Sequence, residues 1–415
     1  MAPNTRTSTP PPVRRRSPLL LLGPAFVAAI AYVDPGNVAA NITAGARYGF
    51  LLVWVLVLAS AMSVLIQYQS AKLGLVTDKS LPALLGDRLP RPARLAYWAQ
   101  AELVSAATDL AEVIGGALAL YLLFGLPLPI GGLIVGVVSM IMLGLQARRR
   151  QRSFEFVIMG LLAVITIGFL TGLVINPPAA GDVLGGLTPR FAGTDSVLVA
   201  ASMLGATVMP HAIYLHSSLV LDRHGTGHDP SVRRRLLKAT RLDVLLALAV
   251  AGLVNIALLL LAAESLRGQP GTDSIEGAHA AIATAFGPGV ALVFAIGLLA
   301  SGLASTSVGA YAGSEIMAGL IHRRIPLVLR RLVTLLPALV LLSVGIEPTW
   351  ALVLSQVVLS FGIPFALVPL VALTGSSRVM GELRNGPALR VVSVLVIAAI
   401  IALNLALLFL TLTGL

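Results

Sequence analysis

Apolar runs of roughly 20 residues, the length a helix needs to cross a bilayer, recur along almost the whole 415-residue chain. This restricts its folding sharply. In hydrocarbon every backbone N–H and C=O must find a partner inside the protein, so a chain of such runs folds as a set of membrane-spanning helices. Composition agrees: 57 % of the residues are hydrophobic and 11 % are charged, where a soluble domain carries about a quarter charged residues. The sequence predicts an all-α polytopic membrane protein with eleven spans: 18–45, 50–73, 93–123, 126–146, 153–175, 194–221, 242–265, 283–320, 327–344, 348–374 and 388–413.

The distribution of charge supports that count. Lys and Arg cluster at 14–16, 72–94, 148–152, 233–241, 322–331 and 378–384, while the alternate connections at 124–127, 176–190, 266–280 and 345–348 carry few or none. By the positive-inside rule this alternation puts the N-terminus in the cytoplasm and, with an odd number of spans, the C-terminus outside. The same clustering argues against nucleic acid as the reason for the net charge of +11, because no zinc-finger spacing or aromatic-basic platform accompanies it. Zero cysteines exclude disulfides and thiolate ligands. Residues 1–17, polar and proline-rich, are expected to form a disordered cytoplasmic tail rather than a cleaved signal. No globular domain is long enough for a soluble enzyme. The longest polar connection, 222–241, holds His224 and His228 and reads as a solvated turn or a metal-binding loop.

Two spans contain breaks. Residues 31–37 read AYVDPGN. Pro35 has no N–H and clashes with the preceding turn, and Gly36 has little helix preference. The break frees main-chain carbonyls at a depth where irregular backbone survives only if it is buried or lines a cavity. Asp34 and Asn37 then stand as oxygen ligands for a cation, with the carbonyls around Ala31 beside them. The sixth span holds the second break, MLGATVMPHAIYLHSSLV, where Met209 precedes Pro210 and His211 and His216 follow. Asp34 and Met209 are 175 residues and five spans apart. That spacing suits two inverted five-helix repeats, 18–175 and 194–374, plus an eleventh helix at 388–413. The thioether of Met209 suits late first-row metals and Cd²⁺ rather than Ca²⁺ or Mg²⁺.

Further polar residues lie inside the apolar runs. Asp109 and Glu112 share a face of the third span and read as a proton relay or a second ion site. His211 and His216 can extend such a relay or sit as buried neutral rings. Arg330 and Arg331 anchor the ninth span at the interface, or one of them turns inward to an acid. Gln356 bonds across helices or lies near the cation, with Asn255 a weaker parallel, while Glu102 and Glu315 suit interfacial positions.

With these residues in view, the chain resembles the Nramp family of proton-coupled divalent-metal transporters, in particular its bacterial manganese importers. The resemblance rests on DPGN at 34–37, ATDLAE at 107–112, MPHAIYLHSSLV at 209–220 and SQVVLSFGIPFA at 355–366, and it runs in order through nearly the whole chain. It implies a LeuT-like fold. It also implies a metal site made by Asp34, Asn37, Met209, the carbonyls of Ala31 and Ala206, and Gln356. The proton route it implies runs through His211, Asp109 and Glu112, with Arg331 as ionic partner and a less definite part for His216. The chain departs from the family pattern at 308–320, VGAYAGSEIMAGL, where Glu315 is an unexpected acid.

The resulting expectation is a multi-pass protein of the bacterial plasma membrane that imports Mn²⁺, and also Fe²⁺, Co²⁺ or Cd²⁺, together with protons by alternating access. It holds no permanent cofactor, and its partners are the metal ion, protons and the lipid bilayer. A sodium-coupled amino-acid carrier and a metal-binding receptor without flux are the competing readings. The sequence carries no signal of oligomeric state.

Overall fold

The computed structural model describes residues 23–147, 151–323 and 326–413, and contains helices and no strand among them. The expected tail at 1–17 and the first residues of the opening span lie outside the described residues, as does most of the basic cluster at 148–152. The first apolar region is two helices, α1 (Pro24–Ile30) and α2 (Pro35–Tyr48), joined by a 3-10 turn at Ala31–Val33. Next come α3 (Val53–Thr77), the short α4 (Leu81–Arg88), α5 (Arg91–Phe124), α6 (Leu128–Ala147), α7 (Gln151–Ile175) and the short α8 (Ala180–Gly185). The sixth region is again two helices, α9 (Thr194–Thr207) and α10 (Pro210–His224). The chain ends with α11 (Pro230–Ser265), α12 (Ile275–Phe286), α13 (Pro288–Ile321), α14 (Leu327–Val344), α15 (Pro348–Gly375), the short α16 (Ser377–Met380) and α17 (Pro387–Thr413).

Among the described residues, eight helical stretches are long and apolar enough to cross a bilayer. One of these, 35–77, is a helical hairpin. Gly49 takes φ 59°, a left-handed value that glycine adopts freely, and ends α2. The Gln67 amide then donates to the Tyr32 hydroxyl at 2.6 Å. Residue 67 can return to the level of residue 32 only if the chain reverses between α2 and α3.

Two boundaries differ from the sequence reading. The region 283–320 is divided at Gly287, whose φ of 88° followed by Pro288 at the first helical position stops α12 and starts α13. The polar connection 222–241 is mostly helix, because RRRLLKATR has no breaker and extends α11 back to Pro230. Only the turn around Gly225 and Gly227 remains between α10 and α11.

The broken helices sit at the centre. In 194–224 the most apolar window is 94 % buried, against 28 % in α17, which therefore lies at the rim. At one end of the bundle, Arg47 of α2 bridges Asp195 of α9 at 3.2 Å and Asp273, before α12, at 2.8 Å. The Tyr48 hydroxyl also reaches Asp195, and Ile275 N donates to Thr349 Oγ1 on α15 at 3.0 Å. At the other end, the Asp243 carboxylate of α11 accepts the N–H groups of Gly23 (3.1 Å) and Ala25 (2.9 Å), capping α1 from a neighbouring helix. There too, Ser217 Oγ of α10 accepts Leu81 N of α4 at 2.9 Å, and Arg223 pairs with Glu155 at 3.7 Å.

Small residues let the central helices approach, as is usual between membrane helices. Gly115 of α5 lies so close to the Pro35 ring that a Cβ there would overlap it. Gly115→Ala is expected to cost about 1–3 kcal/mol through overpacking, read as a lower thermal midpoint of the purified protein in detergent. Gly160→Ala, where a Cβ meets nothing within 4 Å, should leave the midpoint unchanged.

Candidate functional site

In an α-helix the carbonyl of residue i accepts the N–H of residue i+4. Pro35 has no N–H for Ala31 O, and Pro210 has none for Ala206 O. The two prolines therefore orphan one carbonyl each, at matching places in the two breaks. A single side chain bridges both: Asn37 Nδ2 donates to Ala206 O at 2.9 Å and lies 3.5 Å from Ala31 O. Three other carbonyls at the breaks are met by side chains from neighbouring helices. Tyr32 O takes Asn255 Nδ2 at 2.5 Å, Val33 O takes Ser301 Oγ at 2.6 Å, and Thr207 O takes Ser63 Oγ at 2.8 Å. Asn255 Oδ1 in turn accepts Asn41 Nδ2 at 3.0 Å, which ties α2 to α11.

Asp34 caps α2 in the extended conformation that N-caps adopt. Its Oδ1 accepts Asn37 N at 2.7 Å and Asn37 Nδ2 at 2.8 Å. Both side chains are fully buried, yet Asp34 Oδ2 and Asn37 Oδ1 have no hydrogen-bond donor among the described residues. Met209 is the N-cap of α10, also fully buried, in the second break. Gln356 of α15 covers both breaks: its side chain packs where a Cβ on Gly36 would be, and its carbonyl packs against Gly205 of α9. Its Oε1 likewise has no donor. Buried acceptors without donors are costly unless a cation satisfies them. The C-terminal ends of α1 and α9, with their partial negative charge, face the same place. Among the described residues no group of three or more His, Cys, Asp or Glu could hold a metal. The candidate is therefore this mixed set of carboxylate, amide, carbonyls and thioether.

From the second break a buried polar row runs along α5. His211 Nδ1 lies 3.3 Å from Thr108 Oγ1, so its ring sits beside the residue preceding Asp109. Asp109 forms a fully buried ion pair with Arg331 at 3.2 Å, and Arg331 Nε donates to Ser139 Oγ of α6 at 3.1 Å. Glu112, buried one turn further along α5, lies against Gly309 of α13. Arg330 also turns inward, to Glu102 Oε1 at 3.0 Å and Ser105 Oγ at 2.7 Å. Both arginines, where the sequence suggested at most one, are thus inside the bundle, because each finds an acid on α5. Glu102 is accordingly an ion-pair partner rather than a lone interfacial acid.

His216 stands apart from this row. Five residues beyond His211 it faces a different side of α10, and its Nδ1 meets Gln67 Oε1 at 2.8 Å. Gln67 carries on to Tyr32, so His216 connects to the first break from another direction. Gln67, Asn41, Ser63 and Ser301 were not singled out in the sequence. Their only local signal is a polar side chain in an apolar run, which many structural residues share.

Residues 25–410 match the family described as Nramp, natural resistance-associated macrophage protein-like. The chain is 59 % identical over 414 residues to the divalent metal cation transporter MntH of Mycobacterium tuberculosis, covering 100 % of this chain and 95 % of the relative. It is 47 % identical over 391 residues to MntH of Bacillus subtilis, covering 94 % and 92 %. The crystal structure of the Eremococcus coleocola manganese transporter with an aromatic bis-isothiourea compound superposes with a TM-score of 0.83 at 32 % identity, over 94 % of this chain and 86 % of that one. Mhp1, a nucleobase-cation-symport-1 family transporter in a closed conformation, shares the fold at 16 % identity with a TM-score of 0.56, over 94 % of this chain and 91 % of that one. With a family match spanning nearly the whole chain and such identity to full-length relatives, this chain belongs to the Nramp family.

Proposed function

We propose that the protein imports divalent transition-metal ions across the bacterial plasma membrane, Mn²⁺ foremost and Fe²⁺, Co²⁺ and Cd²⁺ alongside, coupled to protons by alternating access. One observation carries the reading. Two proline breaks bring orphaned carbonyls, a carboxylate and an amide together, with the buried Met209 standing at the second break, and among the described residues Asp34 Oδ2 and Asn37 Oδ1 have no donor. Asp34, Asn37, Met209, the carbonyls of Ala31 and Ala206, and Gln356 are the ligands in this reading. Hard oxygens with one soft sulfur suit Mn²⁺ and its neighbours and give little to Mg²⁺, which demands an octahedron of oxygens. The 59 % identity to a divalent metal cation transporter points the same way.

The architecture in this reading is LeuT-like, with inverted repeats at 18–175 and 194–374 and an eleventh helix at 388–413. The matched positions of Pro35 and Pro210, each opening a carbonyl four residues back, support the repeat. The end of the bundle that holds Lys79, Arg88, Arg223 and Arg233 is cytoplasmic, which puts the C-terminus outside. Arg47, with Asp195 and Asp273, then closes the outer end, while Asp243 holds the start of α1 at the inner end. Opening one end while the other keeps its polar contacts exposes the breaks to one side at a time. An inside-negative potential favours entry by about 2.3 kcal/mol per charge per 100 mV.

Protons take the polar row in this reading, from His211 along α5 to Asp109 and Glu112. Arg331 keeps Asp109 from standing as an uncompensated buried charge, and a proton arriving at Asp109 would weaken that pair and free the guanidinium. His216 acts through Gln67 and Tyr32 on the first break.

In proteoliposomes loaded with an internal pH dye, Mn²⁺ uptake is expected together with acidification, and Asp34→Ala should abolish both. Failure of every transition metal in a panel to enter would overturn the function. Met209→Ala should keep Mn²⁺ uptake while admitting Ca²⁺ or Mg²⁺; continued exclusion of both would remove the thioether as the selective ligand. Asp109→Asn should cut acidification per Mn²⁺ transported at least severalfold, and an unchanged ratio would take Asp109 off the proton route.

A further inference from the structure

Two prolines lie inside α15, Pro364 and Pro369. Neither has an N–H, so Ser360 O and Phe365 O lose their helical partners in the same way as the carbonyls at the breaks. Each is met from another helix. Asn404 Nδ2 of α17 donates to Ser360 O at 2.8 Å, and the Tyr214 hydroxyl of α10 donates to Phe365 O at 3.3 Å. Asn404 Oδ1 also lies 2.8 Å from Ser360 Oγ, so the amide engages Ser360 twice.

Asn404 is conspicuous on its own helix. It is 5 % exposed, while its neighbours Leu405, Leu408 and Phe409 are 60 %, 46 % and 59 % exposed on the outer surface. An asparagine in a rim helix of this kind is costly in hydrocarbon unless it has a specific partner. The partner it has is the carbonyl that Pro364 leaves open.

A proline kink has a direction, and the group that bonds the freed carbonyl helps to set it. Ser360 is one turn after Gln356 on the same face of α15, and the Cβ position of Gly205 lies against both Gln356 O and Ser360 N. A change in the bend at Ser360 therefore moves Gln356 relative to Gly36 and Asn37.

We propose that Asn404 is a positioning residue for transport: from α17 it fixes the proline bend of α15 and so sets the reach of Gln356 into the metal site. This rests on the reading of Gln356 as a ligand. A purely structural asparagine, tying α17 to α15, would affect stability and leave metal affinity alone.

The test is Mn²⁺ uptake by purified full-length variants in proteoliposomes, with KM and maximal rate measured separately for protein that elutes as a single folded species. Asn404→Leu is expected to raise KM severalfold with the maximal rate changed less than twofold. Gln356→Ala should raise KM by itself, and adding Asn404→Leu to it should raise KM little further. Pro364→Ala restores an N–H for Ser360 O, so Asn404→Leu in that background should recover a KM close to that of Pro364→Ala alone. An unchanged KM in Asn404→Leu, with Gln356→Ala raised, overturns the positioning role and leaves the ligand reading standing. An unchanged KM in Gln356→Ala removes that ligand and the proposal with it. Equal KM increases from Asn404→Leu with and without Pro364→Ala would also overturn it. If Asn404→Leu alone does not fold, Asn404→Ala, which removes the same donor to Ser360 O, takes its place in every comparison.

Discussion

Prolines in the membrane-buried helical regions each withhold one hydrogen bond from a carbonyl that has no water to turn to, and much of the centre of the structure is arranged around that deficit. Pro35, Pro210, Pro364 and Pro369 orphan Ala31 O, Ala206 O, Ser360 O and Phe365 O. An unsatisfied backbone group in hydrocarbon costs several kcal/mol, so each must be met. The way each is met separates scaffold from site. Ser360 O and Phe365 O have a donor each, Asn404 and Tyr214. Ala31 O and Ala206 O share one amide nitrogen, which is close to one and distant from the other. That carbonyl pair is left under-satisfied beside a carboxylate oxygen and an amide oxygen that have no donor among the described residues. The two freed carbonyls of α15 each have a donor, whereas those at the meeting of the breaks retain capacity for a cation.

Buried charge follows a similar logic. Two adjacent arginines of α14 carry their charge inside the bundle, each matched by an acid on α5: Arg331 by Asp109 and Arg330 by Glu102. Breaking such a pair leaves a buried charge uncompensated, which costs more than the intact pair gains. This makes the α5–α14 contact sensitive to protonation of the acids in a way that an apolar contact would not be. The row begins at His211, the second residue of α10, and so shares a helix terminus with the Met209 break. Charge compensation on α5 and the geometry of the break are thus joined through a few side chains.

The sequence was informative where the physical cause is local. The breaks at DPGN and MPH were legible because proline acts on its own turn, and the basic-loop alternation located the connections because charge avoids hydrocarbon. Boundaries were missed where local signals compete. Gly287–Pro288 ends one helix and starts another within a single apolar region, and RRRLLKATR looks like a loop by charge although nothing in it breaks a helix. Partners were the least legible. Nothing near Asn404 says that it serves a proline 40 residues earlier, and nothing near Gln67 says that it links Tyr32 to His216. The two histidines of α10 illustrate the limit. Five residues apart, they look like one relay in sequence, but helical geometry turns them toward different neighbours, Thr108 and Gln67.

The breaks also divide the molecule mechanically. Of the four half-helices, α2 and α9 are tied together at one end of the bundle by Arg47 and Asp195. At the other end, α1 is held by Asp243 and α10 by Ser217 against α4. A continuous helix would carry a displacement at one end directly to the other through its ladder of backbone hydrogen bonds. Between Ala31 and Asp34, and again between Thr207 and Met209, that ladder is interrupted, and side chains from α3, α11 and α13 take over its donors. Each end can therefore change its contacts without dragging the opposite half-helix rigidly along. In the proposed function, the same missing hydrogen bonds that open carbonyls toward a cation would also supply the hinge that alternating access requires, so that site and hinge would fall on the same few residues.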